Sequence, residues 1–472
     1  MSSQRFVVVG AGVTGLTAAY RLTKDAPDAS ITLIDADDRL GGKIRSSQFA
    51  GLDGIDEAAD AFLTRVPYAM NLAEELGLTS ELTSPAAASA SVWWNGLHPI
   101  PEGLLLGVPT DVFKLAKSNL LTWPGKARAA LEPFLPATGV GSDCVGKIIR
   151  KRFGKQVHER LVDPLVGSIY AADTDRFSLA GVPQILDLAS KHRSLLLGAR
   201  KIRAKAPPTS GPIFATPRGG MAALTDALGV AVRDAGVDVR LGRSVTTIEP
   251  GPSGGARWDV QLDSGASIEC DGIILATPAR LTSALLAEIS PTASSSLATF
   301  EHASVVMVAL AITATDWPRA LHNSSGYLVP KPVQQWVTAA SFASSKWAHW
   351  NPVDPAGTPA MVLRVSLGRD GRDLTGESDD ALLAAAISEV GGHLGLELQP
   401  FEHRITRWPM SFPQYRPGHA ARVTALEAAL ATDAPGVLLA GASYRGIGIP
   451  ACINQGNLAA QALTKLATAV RD

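Results

Sequence analysis

A short apolar run, Phe6–Val9, is followed at once by Gly10-Ala11-Gly12-Val13-Thr14-Gly15. Apolar residues at helical spacing continue over Leu16–Leu22, and a second apolar run, Ile31–Ile34, ends on Asp35. Strand, glycine turn, helix, strand and acid in this order constrain the fold more than any other feature of the chain. Gly10 allows a sharp turn, Gly12 has no side chain to keep a pyrophosphate off the backbone, and Gly15 lets the helix lie close to the sheet. The helix start, at Val13 and Thr14, offers unpaired N–H groups and a partial positive charge to phosphates. Asp35, 20 residues beyond Gly15, is spaced to accept hydrogen bonds from ribose hydroxyls. The expectation is an α/β, Rossmann-like unit that binds a dinucleotide. Arg5 before an apolar stretch superficially resembles a secretory signal, but glycines interrupt it and charges follow, so export is not expected.

At 472 residues the chain should hold two or three domains of about 150 residues each. A hydrophobic content of 46% against 18% charged residues describes a well-buried globular protein, and a net charge of −1 gives no field that would favour nucleic acid. Cys144, Cys270 and Cys452 are far apart and no CxxC occurs, so neither a metal site nor a disulfide framework is expected. This usage fits a reducing cytoplasm. His98, His158 and His419 lack metal-ligand spacing and read as structural. No apolar stretch reaches the ~18 residues of a membrane span. Val305–Ile312 is the most apolar run and reads as a buried strand.

The stretch Asp35-Ala36-Asp37-Asp38-Arg39-Leu40-Gly41-Gly42-Lys43 resembles the acid, arginine and double-glycine passage of amine-oxidase-like flavoproteins. The resemblance implies FAD, with Arg39 near the phosphates and Gly42 and Lys43 passing close to the cofactor. In the same group a valine like Val245 packs near the adenine, and Cys270–Pro278 looks like its strand-to-loop segment. Val437–Ala440, Gly441 and Gly446-Ile447-Gly448-Ile449-Pro450 complete the set, with a helix beginning near Ala451. The N-terminus of such a helix aims its N–H groups at a flavin carbonyl. The FAD is expected to be non-covalent and Cys452 a buried thiol. The implied FAD domain is discontinuous, of two-dinucleotide-fold type, over 1–80, 215–285 and 430–472.

Four further passages resemble the porphyrinogen oxidases of heme synthesis, end to end. They are Ile55–Phe62 with Ala58, Ala59 and Asp60; Asp163–Asp173 with Ile169 and Tyr170; Phe214–Met221; and Trp408-Pro409-Met410-Ser411-Phe412-Pro413-Gln414-Tyr415 followed by Gly418-His419. By this resemblance Ala58, Ala59, Asp60 and Trp408 contact the flavin, and Ile169 and Tyr170 face the substrate. Ser168 and Ala172 stand where the family usually has glycine. One branch of the family oxidises protoporphyrinogen IX and the other coproporphyrinogen III. Leu97-His98-Pro99-Ile100-Pro101 matches a family segment that an arginine often precedes in the first branch. Here Ala90-Ser91-Val92-Trp93-Trp94 contains none, which favours coproporphyrinogen III, with protoporphyrinogen IX as the alternative.

The implied reaction removes six electrons in three rounds, each passing a hydride from a meso carbon to flavin N5. Dioxygen is the implied electron acceptor and hydrogen peroxide the by-product. No acid–base dyad or nucleophile stands at a convincing spacing, so no catalytic side chain is singled out. A mixed-sheet substrate domain is expected over 81–100, 206–214 and 286–429, with strands in Trp317–Leu328, Gln334–Phe342 and Ala360–Leu367. Leu328, Trp336 and Leu367 are its candidate substrate contacts, each equally readable as plain core. Trp93-Trp94 reads as core, with a place in the pocket wall as the alternative. A helical subdomain over 101–205 should cap the pocket. Its basic stretches, Arg150-Lys151-Arg152 and Lys191–Lys205, read either as solvated helix faces or as surfaces near propionates or anionic headgroups. A cytoplasmic protein is expected, with peripheral contact to the inner face of the membrane left open. Product would pass to a ferrochelatase, and the oligomeric state stays open. Pro207, Pro208 and Pro212 mark a loop back to the FAD domain, and Gly254-Gly255 a hairpin turn. The rival readings are an amine oxidase, a carotenoid desaturase and a flavin-free escort protein of the same fold.

Overall fold

The computed structural model describes residues 4–87, 89–136, 143–205, 211–252, 257–315 and 317–469. The opening run forms the strand Arg5–Val9, the helix Val13–Asp25 and the strand Ser30–Ile34. These two strands lie in a five-stranded, all-parallel sheet ordered Asp238–Arg240, Ser30–Ile34, Arg5–Val9, Gly272–Leu275, Val437–Leu439. A parallel sheet has to be covered on both faces. Phe6 and Val8 accordingly pack into one apolar cluster while Val7 and Val9 pack into another, so the run is apolar without alternation. The helix Val13–Asp25 is buried over most of its surface because the last helix, Ile449–Ala469, lies across it. That approach needs Gly456, where a Cβ would stand 2.5 Å from the Thr14 carbonyl oxygen.

A second, seven-stranded sheet is ordered Pro400–Pro413, His302–Thr313, Ala360–Leu367, Val337–Phe342, Ser324–Leu328, Ser89–Trp93, Leu97–Pro99. Only the pairing of Ser324–Leu328 with Ser89–Trp93 is parallel, so the sheet is mixed. The apolar run Val305–Ile312 lies within the strand His302–Thr313. The strand expected from Trp317 starts later, at Ser324. Pro318 supplies no N–H for a ladder, and Arg319–Leu321 turn as a 3₁₀ helix instead. Leu363, Val365 and Leu367 pack on Leu382, Ala386 and Val390 of the helix Asp379–Leu394, which covers one face of this sheet.

Helices Val145–Phe153, Asp163–Tyr170, Pro183–Lys191 and Leu195–Lys205 build a third layer with its own apolar core. A π-helical turn, His158–Val162, runs straight into Asp163–Tyr170. Pro164 explains it, since it has no N–H to give and its ring crowds the carbonyl four residues back. Arg152 departs from both readings of the basic stretch. It is fully buried, and its guanidinium pairs with the buried Glu132 and donates to the carbonyls of Pro136 and Arg193. Glu132 in turn accepts from Ser194 Oγ and from the N–H groups of Leu195 and Leu196 at the start of the helix Leu195–Lys205. The expected turn at Gly254-Gly255, and Pro207 and Pro208 of the expected loop, lie outside the described residues. Among the described residues no helix is long and apolar enough to cross a membrane.

Candidate active site

A cavity of about 1080 Å³ runs from the glycine turn of the parallel sheet to the mixed sheet and the helix Asp163–Tyr170. At its first end the chain is built for close approach. Gly10 turns at φ +101°, and a Cβ on Gly15 would stand 1.8 Å from the Gly10 carbonyl oxygen, so Gly15 seats the helix and does not itself reach the cavity. A Cβ on Gly12 would meet no atom within 4 Å, because this position opens into the cavity. Gly12 is also the N-cap of the helix and supplies no side-chain cap, which leaves first-turn N–H groups at Val13 and Thr14 facing the same space.

Asp35 accepts from the N–H groups of Ala11 and Asp37, one to each carboxylate oxygen, and lines the cavity. Each oxygen keeps a lone pair for a ribose hydroxyl. The Arg39 guanidinium donates to the carbonyls of Leu40, Gly42 and Ile44 and so braces the double-glycine loop. In that loop Gly42 passes so near Gly12 that a Cβ would stand 3.1 Å from its Cα. Val245, Gly441, Ile447, Gly448 and Ile449 also line the cavity, the last three at the N-terminus of the helix Ile449–Ala469. The glycine cradle, two open helix starts and the acid fit an adenine dinucleotide laid along the sheet edge.

Farther in, Lys43 faces the cavity and donates to the Ser411 carbonyl at 2.5 Å, and enclosure by protein pushes its ammonium below the ordinary value. Ala58, Ala59, Asp60 and Trp408 form the adjoining wall. Trp408 Nε1 donates to the Glu57 carbonyl. Burial alone would raise the Asp60 carboxyl, but Lys346 at 2.8 Å and Arg364 at 3.1 Å outweigh it and hold the group ionised. Its charge is therefore spent on anchoring the wall. Cys452 lines the cavity as a free thiol that burial pushes up to about 11.

The far end is bounded by Ile169, Tyr170, Met307, Val329 and Ser366. Burial raises the Tyr170 hydroxyl to about 12. Leu328, Trp336 and Leu367 are not among the lining residues, and for Trp336 and Leu367 the core reading fits. Leu367 is fully buried against the helix behind the sheet, Trp336 packs on that same core, and Leu328 leaves the wall to its neighbour Val329. Leu367 follows the lining residue Ser366 and so faces the other side, whereas Leu328 is in register with Ala339, Ser366 and Met307 and stands on the cavity side of the sheet. Trp93 and Trp94 do not reach the cavity: Trp93 packs on the core, and the Arg160 guanidinium lies 3.9 Å from the ring centre of Trp94. Two residues not singled out from the sequence do border it. Arg369 and Asp163 form a buried ion pair at 3.0 Å, and Arg369 overcomes the effect of burial to hold the Asp163 carboxyl below its usual range. Asp163 opens the quoted Asp163–Asp173 passage, whereas Arg369 has no sequence signal beyond following a strand.

Residues 13–464 match the model of the flavin containing amine oxidoreductases. The chain belongs to this family. As a member it is an FAD-dependent oxidoreductase. It is 33% identical to the coproporphyrinogen III oxidase of Bacillus subtilis (strain 168), covering 98% of each chain. It is 29% identical to the protoporphyrinogen oxidase of Bos taurus, over 96% of this chain and 97% of the bovine one. A crystal structure from Exiguobacterium sp. 255-15, provisionally assigned as a protoporphyrinogen oxidase, superposes with a TM-score of 0.84 at 29% identity, covering 98% of this chain and 99% of the other. Among flavin containing amine oxidoreductases the resemblance is thus to porphyrinogen oxidases over 96–98% of the chain.

Proposed function

We propose that the chain oxidises coproporphyrinogen III to coproporphyrin III with FAD, using dioxygen and releasing hydrogen peroxide, as a step of heme synthesis. The observation that carries this reading is the end-to-end likeness to the Bacillus subtilis coproporphyrinogen III oxidase, at 33% identity against 29% for the bovine protoporphyrinogen oxidase. The arginine-free segment Ala90–Trp94 points the same way, although its hairpin lies at the outer edge of the mixed sheet and does not border the cavity. FAD, when bound, supplies the hydride acceptor. The chain's own part is to hold the apolar body of the macrocycle between Ile169, Met307 and Val329 and to exclude water from it. Segments 1–80, 215–285 and 430–472 serve as the FAD domain, 81–100, 206–214 and 286–429 as the substrate domain, and 101–205 as a cap. Localisation in the cytoplasm, peripheral contact with its membrane face and product transfer to a ferrochelatase belong to the same proposal.

The test is aerobic turnover of the purified holoenzyme on both porphyrinogens side by side, read by porphyrin fluorescence with peroxide counted. Preference for the four-propionate ring supports the proposal. Preference for protoporphyrinogen IX moves the chain to the sister branch, and oxidation of neither ring overturns the reading.

A further inference from the structure

The passage Gln414-Tyr415 with Gly418-His419 borders neither the flavin end nor the substrate end of the cavity, yet it touches the frame of both. The Tyr415 side chain is almost wholly buried, and its hydroxyl donates to the Ala442 carbonyl at 2.6 Å and accepts from the Gly446 N–H at 2.8 Å. One oxygen thus ties together the two ends of the loop that runs into the helix Ile449–Ala469. The loop needs such a tie, since Gly441 and Gly446 hold φ +127° and +120° and Gly441, Ala442 and Ser443 border the cavity. His419 lies flat on the Tyr415 ring at 4.0 Å and 9°, and its Nε2 meets the Tyr444 carbonyl at 2.9 Å. Burial lowers His419 to about 4, so near neutral pH it is an uncharged donor to that carbonyl.

The Tyr415 ring is also parallel to Phe177 at 6.0 Å, and Phe177 meets Tyr170 at 4.8 Å. Gln414 adds a bond from its Nε2 to the Tyr170 carbonyl at 3.0 Å. A continuous row of rings, Tyr170, Phe177, Tyr415 and His419, therefore joins the wall at the substrate end to the loop at the flavin end.

We propose that Tyr415 is a positioning residue that fixes the Gly441–Gly446 loop, and with it the helix start at Gly448, in the place where the flavin ring is received. The proposal rests on the flavin chemistry of the family and not on the identity of the porphyrinogen. Tyr415→Phe keeps the row of rings and removes only the oxygen, leaving the half-buried Ala442 carbonyl and Gly446 N–H without that partner. The apoprotein of this variant, titrated with FAD, should bind about tenfold more weakly, as the loss of a buried bridging hydroxyl implies. Its bound flavin should show a shifted visible spectrum and reduction potential, while KM stays near that of the parent. His419→Phe keeps the stack and frees Tyr444, and should weaken FAD binding in the same direction, which gives a second route if Tyr415→Phe does not fold. FAD affinity within twofold of the parent in a folded variant, with an unchanged spectrum and potential, overturns the proposal. A merely structural hydroxyl would lower the melting temperature and leave all three untouched.

Discussion

Asp56 is a buried carboxyl whose surroundings favour its protonated form. Its carboxyl is buried beneath the Ala58-Ala59 wall, where Ser46 Oγ and the Met221 N–H both donate to Oδ1, while Oδ2 has no hydrogen-bond partner among the described residues. Burial raises it from its ordinary value to about 7. The folded protein therefore holds a proton at Asp56 that the unfolded chain releases. The resulting stability is complete below about pH 4 and is lost as pH rises to about 7, at up to about 1.4 kcal/mol per pH unit. Asp56→Asn keeps an acceptor for both donors and removes the titration. Over that range denaturant unfolding of the variant should lack the decline that this one group gives the parent, and parallel pH profiles would refute the assignment. Asp56 lay inside a quoted motif, but motif spacing carries no information about which oxygen finds a partner. Gly10 and Gly15 were legible because each answers a local steric demand, a positive φ in one case and a close helix–strand approach in the other. Leu367 was placed on the wrong side although its strand does alternate: Leu363, Val365 and Leu367 take one face and Arg364 and Ser366 the other, and alternation alone does not say which face the cavity takes.

Among the elements, the helix Leu195–Lys205 shows why a basic run misleads. Its start is held by Glu132, and Glu132 is neutralised by Arg152, which the sequence presents as one of three consecutive cations. Removing one partner of a buried pair strands the other. Arg152→Met should cost about 3–5 kcal/mol in chemical denaturation, whereas Lys151→Ala next to it should change stability by no more than about 0.5 kcal/mol. A cost for Arg152→Met as small as that of Lys151→Ala would mean that Glu132 is satisfied by Ser194 and the helix start alone. The strands His302–Thr313, Val337–Phe342 and Ala360–Leu367 were readable as apolar runs, whereas Pro400–Pro413, with charged and polar residues along its length, was not. The π turn at His158–Val162 was not, because nothing but Pro164 announces it.

The whole molecule places its earliest and latest segments side by side. The strand Val437–Leu439 closes the parallel sheet against Gly272–Leu275, and the helix Ile449–Ala469 lies on the helix that follows the glycine turn. During synthesis the dinucleotide unit at the front of the chain emerges first and must wait for its last partners, with long-range pairing to be won late. Chains that stop before Val437 should therefore hold no FAD and expose the apolar face of Val13–Asp25, which an apolar dye bound to purified truncations would report. Flavin retained by such a truncation would show that the front unit is self-sufficient. On that expectation the yellow colour of the flavin arrives only once Val437–Leu439 and Ile449–Ala469 are in place, so a stop just before Val437 should be as damaging as one in the middle of the chain.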